Sequence, residues 1–284
     1  MKTIHIVKAD GQEEPFDERK LDESLARAGA SEEIRKKIIT HTEREMHDGM
    51  TTFEIYRRAF ELLKREERHP VAARYSIKKA VFDLGPSGFP FEQFVSQLLI
   101  QDGWRTHTGV ALNGRCTSHE VDVVAERDGQ KIGIEVKFHN AAGTKTDVKD
   151  ALYVYARFED LKASPKEDEK VTDGWLVTNT RFTRNAIRYG KCSGLTLIGW
   201  DYPRGRGILD MVERSGVHPL TCLTTLTDGE KRRLLDRNIV LCKDITQGTH
   251  LLEEFGVSSQ KAKDVLEEAG QLCISRPRPK VDTP

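Results

Sequence analysis

The dipeptide Asp128-Gly129 lies between two runs rich in β-formers, residues 120–126 and 131–138. An Asp-Gly pair in that setting specifies a two-residue hairpin turn, because both central residues must take the positive φ that Asp and Gly tolerate. The turn opposes Arg127 to Gln130 and, counting outward, Asp122 to Glu135. Side chains alternate along a strand, so Glu135 and Lys137 share the Asp122 face, while Val121, Val123, Ile134 and Val136 point the other way. One face is expected to be core and the other charged. Carboxylates opposed with Cβ atoms about 5 Å apart repel unless something positive lies between them. A divalent cation resolves that repulsion, and an ordinary solvated strand face with Glu120 opposite Lys137 is the alternative.

Upstream, Phe91, Phe94, Val95, Leu98 and Leu99 recur at helical spacing behind Pro90, a residue that opens helices. Glu92 borders this stripe, and the helix can bring it beside the hairpin carboxylates. Helical patterns at 148–158 and 183–189 alternate with β-like runs at 174–177 and 195–198, an order that predicts a mixed α/β domain. Before it, residues 3–7 read as a short strand and the chain from Asp17 onward as amphipathic helices. The cluster Gly85-Pro86-Ser87-Gly88 marks one boundary and 203–207 a second linker. After about residue 217 only helical patterns remain, and the tail reads as disordered.

Composition limits the functional classes. At 284 residues the chain has room for about two domains and a short third, and with 37% hydrophobic and 32% charged residues it can build cores under a charged surface. Lys plus Arg and Asp plus Glu are 45 each, so a basic surface must be local, as in the stretch holding Arg181, Arg184, Arg188, Lys191, Arg204 and Arg206 against Asp201. The five cysteines form no Cys-x-x-Cys pair for zinc, and they read as reduced thiols. No apolar run is long enough for a membrane span and no secretory leader is evident, so a cytoplasmic protein without a membrane partner is expected.

The arrangement Glu92, Asp122, then Glu135-Val136-Lys137 resembles the restriction-endonuclease-like nuclease superfamily, closest to its Mrr-like branch, over roughly residues 88–200. That resemblance implies metal ligands at Asp122 and Glu135, a helix acid at Glu92 and a catalytic lysine at Lys137. It also implies Mg²⁺ or Mn²⁺ as cofactor, since two or three carboxylates with waters suit those ions. His119 and His139 lie near the strand ends and read as assisting or as plain surface residues. The segments Ile6 to Lys20, Gly49 to Ile55 and Ala72 to Tyr75 resemble the ATP-cone, a nucleotide-sensing domain. On that resemblance Lys8 and Lys20 contact phosphates, Glu14 the base or ribose region, and Thr52 completes the pocket, with ATP or dATP as allosteric ligand. No Gly-x-x-x-x-Gly-Lys-[Ser/Thr] phosphate loop is present, so the nucleotide is a regulator and not a fuel. Residues 226–266 look like tandem helix-hairpin-helix units, or equally a protein-docking bundle.

Together these readings predict a multidomain α/β protein. An α-rich ATP-cone (1–84) is followed by a mixed-sheet α/β restriction-endonuclease-like core (88–204), then by a small all-α region (215–275) and a disordered tail (276–284). The expected function is a nucleotide-regulated, divalent-metal-dependent DNA endonuclease, a homo-oligomer, acting in defence or repair. A catalytically silent DNA-binding sensor of ATP/dATP and an RNA nuclease are the alternatives.

Overall fold

The computed structural model describes residues 4–67 and 69–274. The tail expected at 276–284 lies outside them. The chain folds as two compact units: the segment up to Ala80 together with His218–Cys273, and Val81–Val217.

The first unit opens with strands β1 (His5–Val7) and β2 (Glu13–Pro15), paired antiparallel through a turn in which Gly11 has φ 79°. Helix α1 (Glu18–Ala28) starts at Asp17, whose carboxylate accepts from the Arg19 amide, and stops at Gly29 in the left-handed region. Helix α2 (Glu32–Glu45) is capped by Ser31. Strand β3 (Met50–Thr51) pairs parallel to β1, with Val7 opposite Thr51. Helix α3 (Thr52–Glu66) begins in a reciprocal cap in which Thr51 and Glu54 bond each other's backbone amides. Helices α4 (His69–Tyr75) and α5 (Ile77–Phe82) follow. Leu25, Ile38, Met50, Ala59 and Leu63 form the core between them.

The second unit contains α6 (Phe89–Gln101), β4 (Arg105–Asn113), β5 (Ser118–Arg127), β6 (Gln130–Lys137), β7 (Lys145–Thr146), α7 (Val148–Lys162), β8 (Asp173–Thr178), β9 (Arg181–Phe182), α8 (Arg184–Ser193), β10 (Thr196–Ile198) and α9 (Ile208–Ser215). Its main sheet runs β10-β8-β6-β5-β4, antiparallel through β4, β5 and β6 and parallel through β6, β8 and β10. The hairpin register is the expected one, Arg127 opposite Gln130 and Val123 opposite Ile134.

Helices cover both faces of this sheet. On one side α6 and α9 pack over Trp175, Val177 and Ile198, in line with Ile134 and Val136. The other side, expected to be simply charged, is also core near the turn. There α7 lays Phe158 against Gly133 and Gly174, where a Cβ at either glycine would run into the ring. Beyond this packed stretch the face stays charged, with Glu126 opposite Lys131 beside the turn and Asp122, Glu135 and Lys137 toward the far ends of β5 and β6.

The last helices, α10 (Asp228–Leu235), α11 (Thr249–Glu254) and α12 (Ser259–Leu272), share a core with Ala73 of α4 and Ala80 of α5. Arg74 Nη2 donates to the Gln271 carbonyl at 2.9 Å and Thr221 Oγ1 to the Ala80 carbonyl at 2.5 Å. The buried Glu268 carboxylate accepts from the amides and hydroxyls of both Thr224 and Thr225. A buried charge with four donors satisfies the requirement that such groups be paired. Among the described residues no helix is long and apolar enough to cross a membrane.

Candidate active site

At the end of the hairpin away from the turn, β5 and β6 part. Regular pairing stops at Val123 and Ile134, and Asp122 does not face Glu135 across a continuous ladder. Its carboxylate enters the gap and Oδ2 accepts from the Val136 amide at 2.7 Å. Beyond that point β6 is held by β8, with Glu135 opposite Leu176 and Lys137 opposite Thr178. On the other flank of β5, Gly109 takes φ 62° in the stretch of β4 that passes Asp122. A positive φ there suits Gly because it carries no Cβ. Asp122 therefore sits where pairing with β6 has stopped on one side and β4 passes through a left-handed glycine on the other.

The four residues read from sequence share one electrostatic environment. Burial pushes the Glu135 carboxyl up to about 7, and the nearby Asp122 and Glu92 push the same way against Arg157 and Lys137. Glu92 is also raised to about 7, first by burial and then by the charges of Asp122 and Glu120. Asp122 is raised by burial, partly offset by the Val136 amide. Three neighbouring carboxyls are thus disfavoured in their charged forms, which marks them as a candidate site for a cation or for proton transfer.

Helix α7 supplies two residues that sequence reasoning missed. Lys137 Nζ lies 3.2 Å from Asp150 Oδ1, so its partner is not Glu120. Arg157 pairs with Glu135, donates through Nη1 to the Glu120 carbonyl at 3.1 Å, and through Nη2 to the Tyr153 hydroxyl at 2.5 Å. Asp150, Tyr153 and Arg157 are spaced to share one face of the helix. In the sequence they are indistinguishable from solvated helix charges, and no local signal could have singled them out.

The residues fit a divalent ion of the Mg²⁺ type. Asp122 and Glu135 offer hard oxygen donors, and Mg²⁺ is commonly held by one or two carboxylates with water and substrate oxygens completing the shell. Among the described residues no three His, Cys, Asp or Glu side chains close into a metal-holding group.

Both histidines are hydrogen-bonded within the fold. His119 Nε2 in β5 lies 2.9 Å from Oδ2 of Asp160 in α7, to which the Cys116 and Thr117 amides of the β4–β5 connection also donate. His139 Nε2 lies 2.9 Å from Thr146 Oγ1, its amide donates to Asn179, and burial lowers its pKa. In the basic stretch, Arg181 is already paired with Asp201.

In the first unit three of the four predicted nucleotide residues meet. Glu14 sits between Lys8 Nζ at 2.6 Å and Lys20 Nζ at 3.2 Å, and the Lys8 hydrogen bond does most to lower its pKa. Thr52 opens α3 directly after the Val7–Thr51 pair, at the same end of β1 as Lys8.

The fold and this centre define a restriction-endonuclease-like protein: residues 86–201 match the restriction endonuclease family model of the Mrr catalytic type. Residues 4–80 match the ATP cone domain, and residues 218–273 match the AF1548-like C-terminal domain. An uncharacterized protein of Archaeoglobus fulgidus is 39% identical over 179 residues, covering 63% of this chain and 99% of its own. The crystal structure of AF1548, described as a protein of unknown function, shares 37% identity at a TM-score of 0.54, over 66% of this chain and 98% of that one. The chain belongs to the AF1548-like family. A remote likeness, at 15% identity and a TM-score of 0.36, is to the MspJI restriction endonuclease in complex with a 27-mer oligonucleotide, over 69% of this chain and 39% of that one.

Proposed function

We propose that the protein is a divalent-metal-dependent DNA endonuclease whose activity is regulated by ATP or dATP. The observation that carries this reading is the bond of the Asp122 carboxylate to the Val136 amide where the hairpin parts, beside Glu135, with Lys137 and Glu92 close enough to act on the same charges. Asp122 and Glu135 would hold Mg²⁺ or Mn²⁺, an ion that activates water and stabilises charge on a phosphodiester. Lys137, paired with Asp150, would offer its ammonium to the charge that develops on the phosphate. Glu92, raised to about 7, can hold or give up a proton near neutral pH. In the first unit Lys8 and Lys20 would exchange Glu14 for nucleotide phosphates, and occupancy would govern assembly of a homo-oligomer or access to the nuclease site. The setting would be cytoplasmic, in defence or repair.

The test is cleavage of supercoiled plasmid with Mg²⁺ or Mn²⁺, with and without ATP and dATP, beside an RNA of matched length. Metal-dependent nicking that Asp122→Ala and Lys137→Ala both lose is the expected result. DNA binding without cleavage under every condition would replace the nuclease with a nucleotide-sensing DNA-binding protein, and cleavage confined to RNA would move the substrate.

A further inference from the structure

The geometry of Arg157 is unusual for an arginine serving only to hold a fold. Its side chain is 15% exposed and that of its partner Glu135 16%, so the pair is largely removed from water. A structural Arg–carboxylate pair gains most from a two-pronged fork in which every N–H is used. Here Nη1 alone reaches Glu135 and is shared with the Glu120 carbonyl, while the buried Nε has no hydrogen-bond partner. Nη2 goes to Tyr153, and the guanidinium carbon stands 4.9 Å from the centre of that ring. Tyr153 is 59% exposed, with exposed Leu152 beside it on α7. One side of the guanidinium thus meets a carboxylate that the proposed metal site needs, and the other meets an aromatic face open to solvent.

We propose that Arg157 is a place-holder for the divalent cation: it neutralises Glu135 in the metal-free protein and, once Glu135 is taken by the ion, turns along Tyr153 to grip a phosphate of the DNA backbone. The proposal rests on the nuclease reading above. Its physical basis is that the carboxylate cluster carries a positive charge in either state. Glu135 is never left buried and alone, an arrangement that costs far more than exchanging one partner for another. Tyr153 gives the released guanidinium a cation–π resting place at the site's rim, and an arginine there suits a phosphate through its planar fork.

The experiment uses the full chain with Mn²⁺ as the sole probe in calorimetry, then a DNA duplex in Ca²⁺ followed by fluorescence anisotropy at several salt concentrations. Arg157→Gln removes the competitor, so Mn²⁺ binding should tighten about tenfold, equivalent to ~1.4 kcal/mol. Duplex binding should weaken about tenfold, and the salt slope should fall by about one, as for loss of a phosphate contact. If Arg157→Gln does not fold, Arg157→Lys keeps the charge but loses the fork that bridges Glu135, the Glu120 carbonyl and Tyr153. That variant should also bind Mn²⁺ more tightly while retaining the salt slope. Mn²⁺ affinity at or below the wild-type value in either folded variant overturns the place-holder role, and the nuclease reading stands if Asp122→Ala still abolishes Mn²⁺ uptake. Absence of Mn²⁺ uptake by the wild-type chain would instead remove the reading beneath it.

Discussion

The Asp122 carboxylate takes the place of a backbone ladder bond, accepting from the Val136 amide at 2.7 Å where β5 and β6 separate. The same side chain thereby satisfies a β6 amide that the parted ladder leaves without a β5 carbonyl. Asp122→Asn retains a carbonyl oxygen for the Val136 amide but removes the charge. The expected outcome is a folded protein of near-normal melting temperature whose metal-dependent cleavage falls at least about 10²-fold, the scale on which single charge-stabilising groups act. Cleavage within a few-fold of wild type would withdraw Asp122 from the centre.

Lys8 and Lys20 grip Glu14 with opposed charges that exposed pairs hold only weakly. Replacing both by Ala should weaken ATP and dATP binding about tenfold or more, on the ~1.5–3 kcal/mol scale of hydrogen bonds to charged groups. Titration calorimetry with each nucleotide checks it. Unchanged affinity would move the pocket elsewhere in the first unit.

Asp160 ties the β4–β5 connection through Cys116, Thr117 and His119, with the His119 hydrogen bond contributing most, and its pKa is lowered to about 2. A carboxyl depressed by folding contributes stability that is present above the unfolded value of about 3.9 and lost as pH falls through the folded value. Thermal unfolding between pH 5 and pH 2 should therefore show an acid-dependent loss that Asp160→Asn reduces. An identical pH dependence in wild type and variant would contradict the role given to these bonds.

Gly133 and Gly174 together make the trough that Phe158 fills. Ala at position 133 must push the ring and α7 outward, a form of overpacking that costs about 1–3 kcal/mol. Because α7 also carries Asp150 and Arg157, Gly133→Ala should lower the melting temperature and disturb the centre at once. Circular dichroism melts give the first effect and Mn²⁺ titration the second.

How much of this was legible follows from where the information lies. Asp128-Gly129 dictated the hairpin register because turn chemistry is local, and Asp17 marked the first helix start for the same reason. Strand β4 gave no such sign: it is an edge strand with few apolar residues, broken by Gly109. The parting of β5 and β6 at Asp122 was not visible either, since alternation continues on paper through the break. Asp150 and Arg157 reach the centre only because Phe158 seats α7 on the sheet, a fact of packing between segments distant in sequence. The association of α12 with α4 likewise depends on two apolar faces that carry no mark of which partner they meet.

That association joins the two ends of the chain into one body, with the restriction-endonuclease-like fold inserted between them in sequence. During synthesis the inserted segment leaves the ribosome while Ala73 and Ala80 still lack their cover, because the segment that supplies it, residues 218–273, follows it. A nascent chain can therefore shape its central domain before the body carrying the ATP cone is complete. A chain cut short before His218 would keep every residue of the restriction-endonuclease-like fold while the unit with the ATP cone would lack part of its packing.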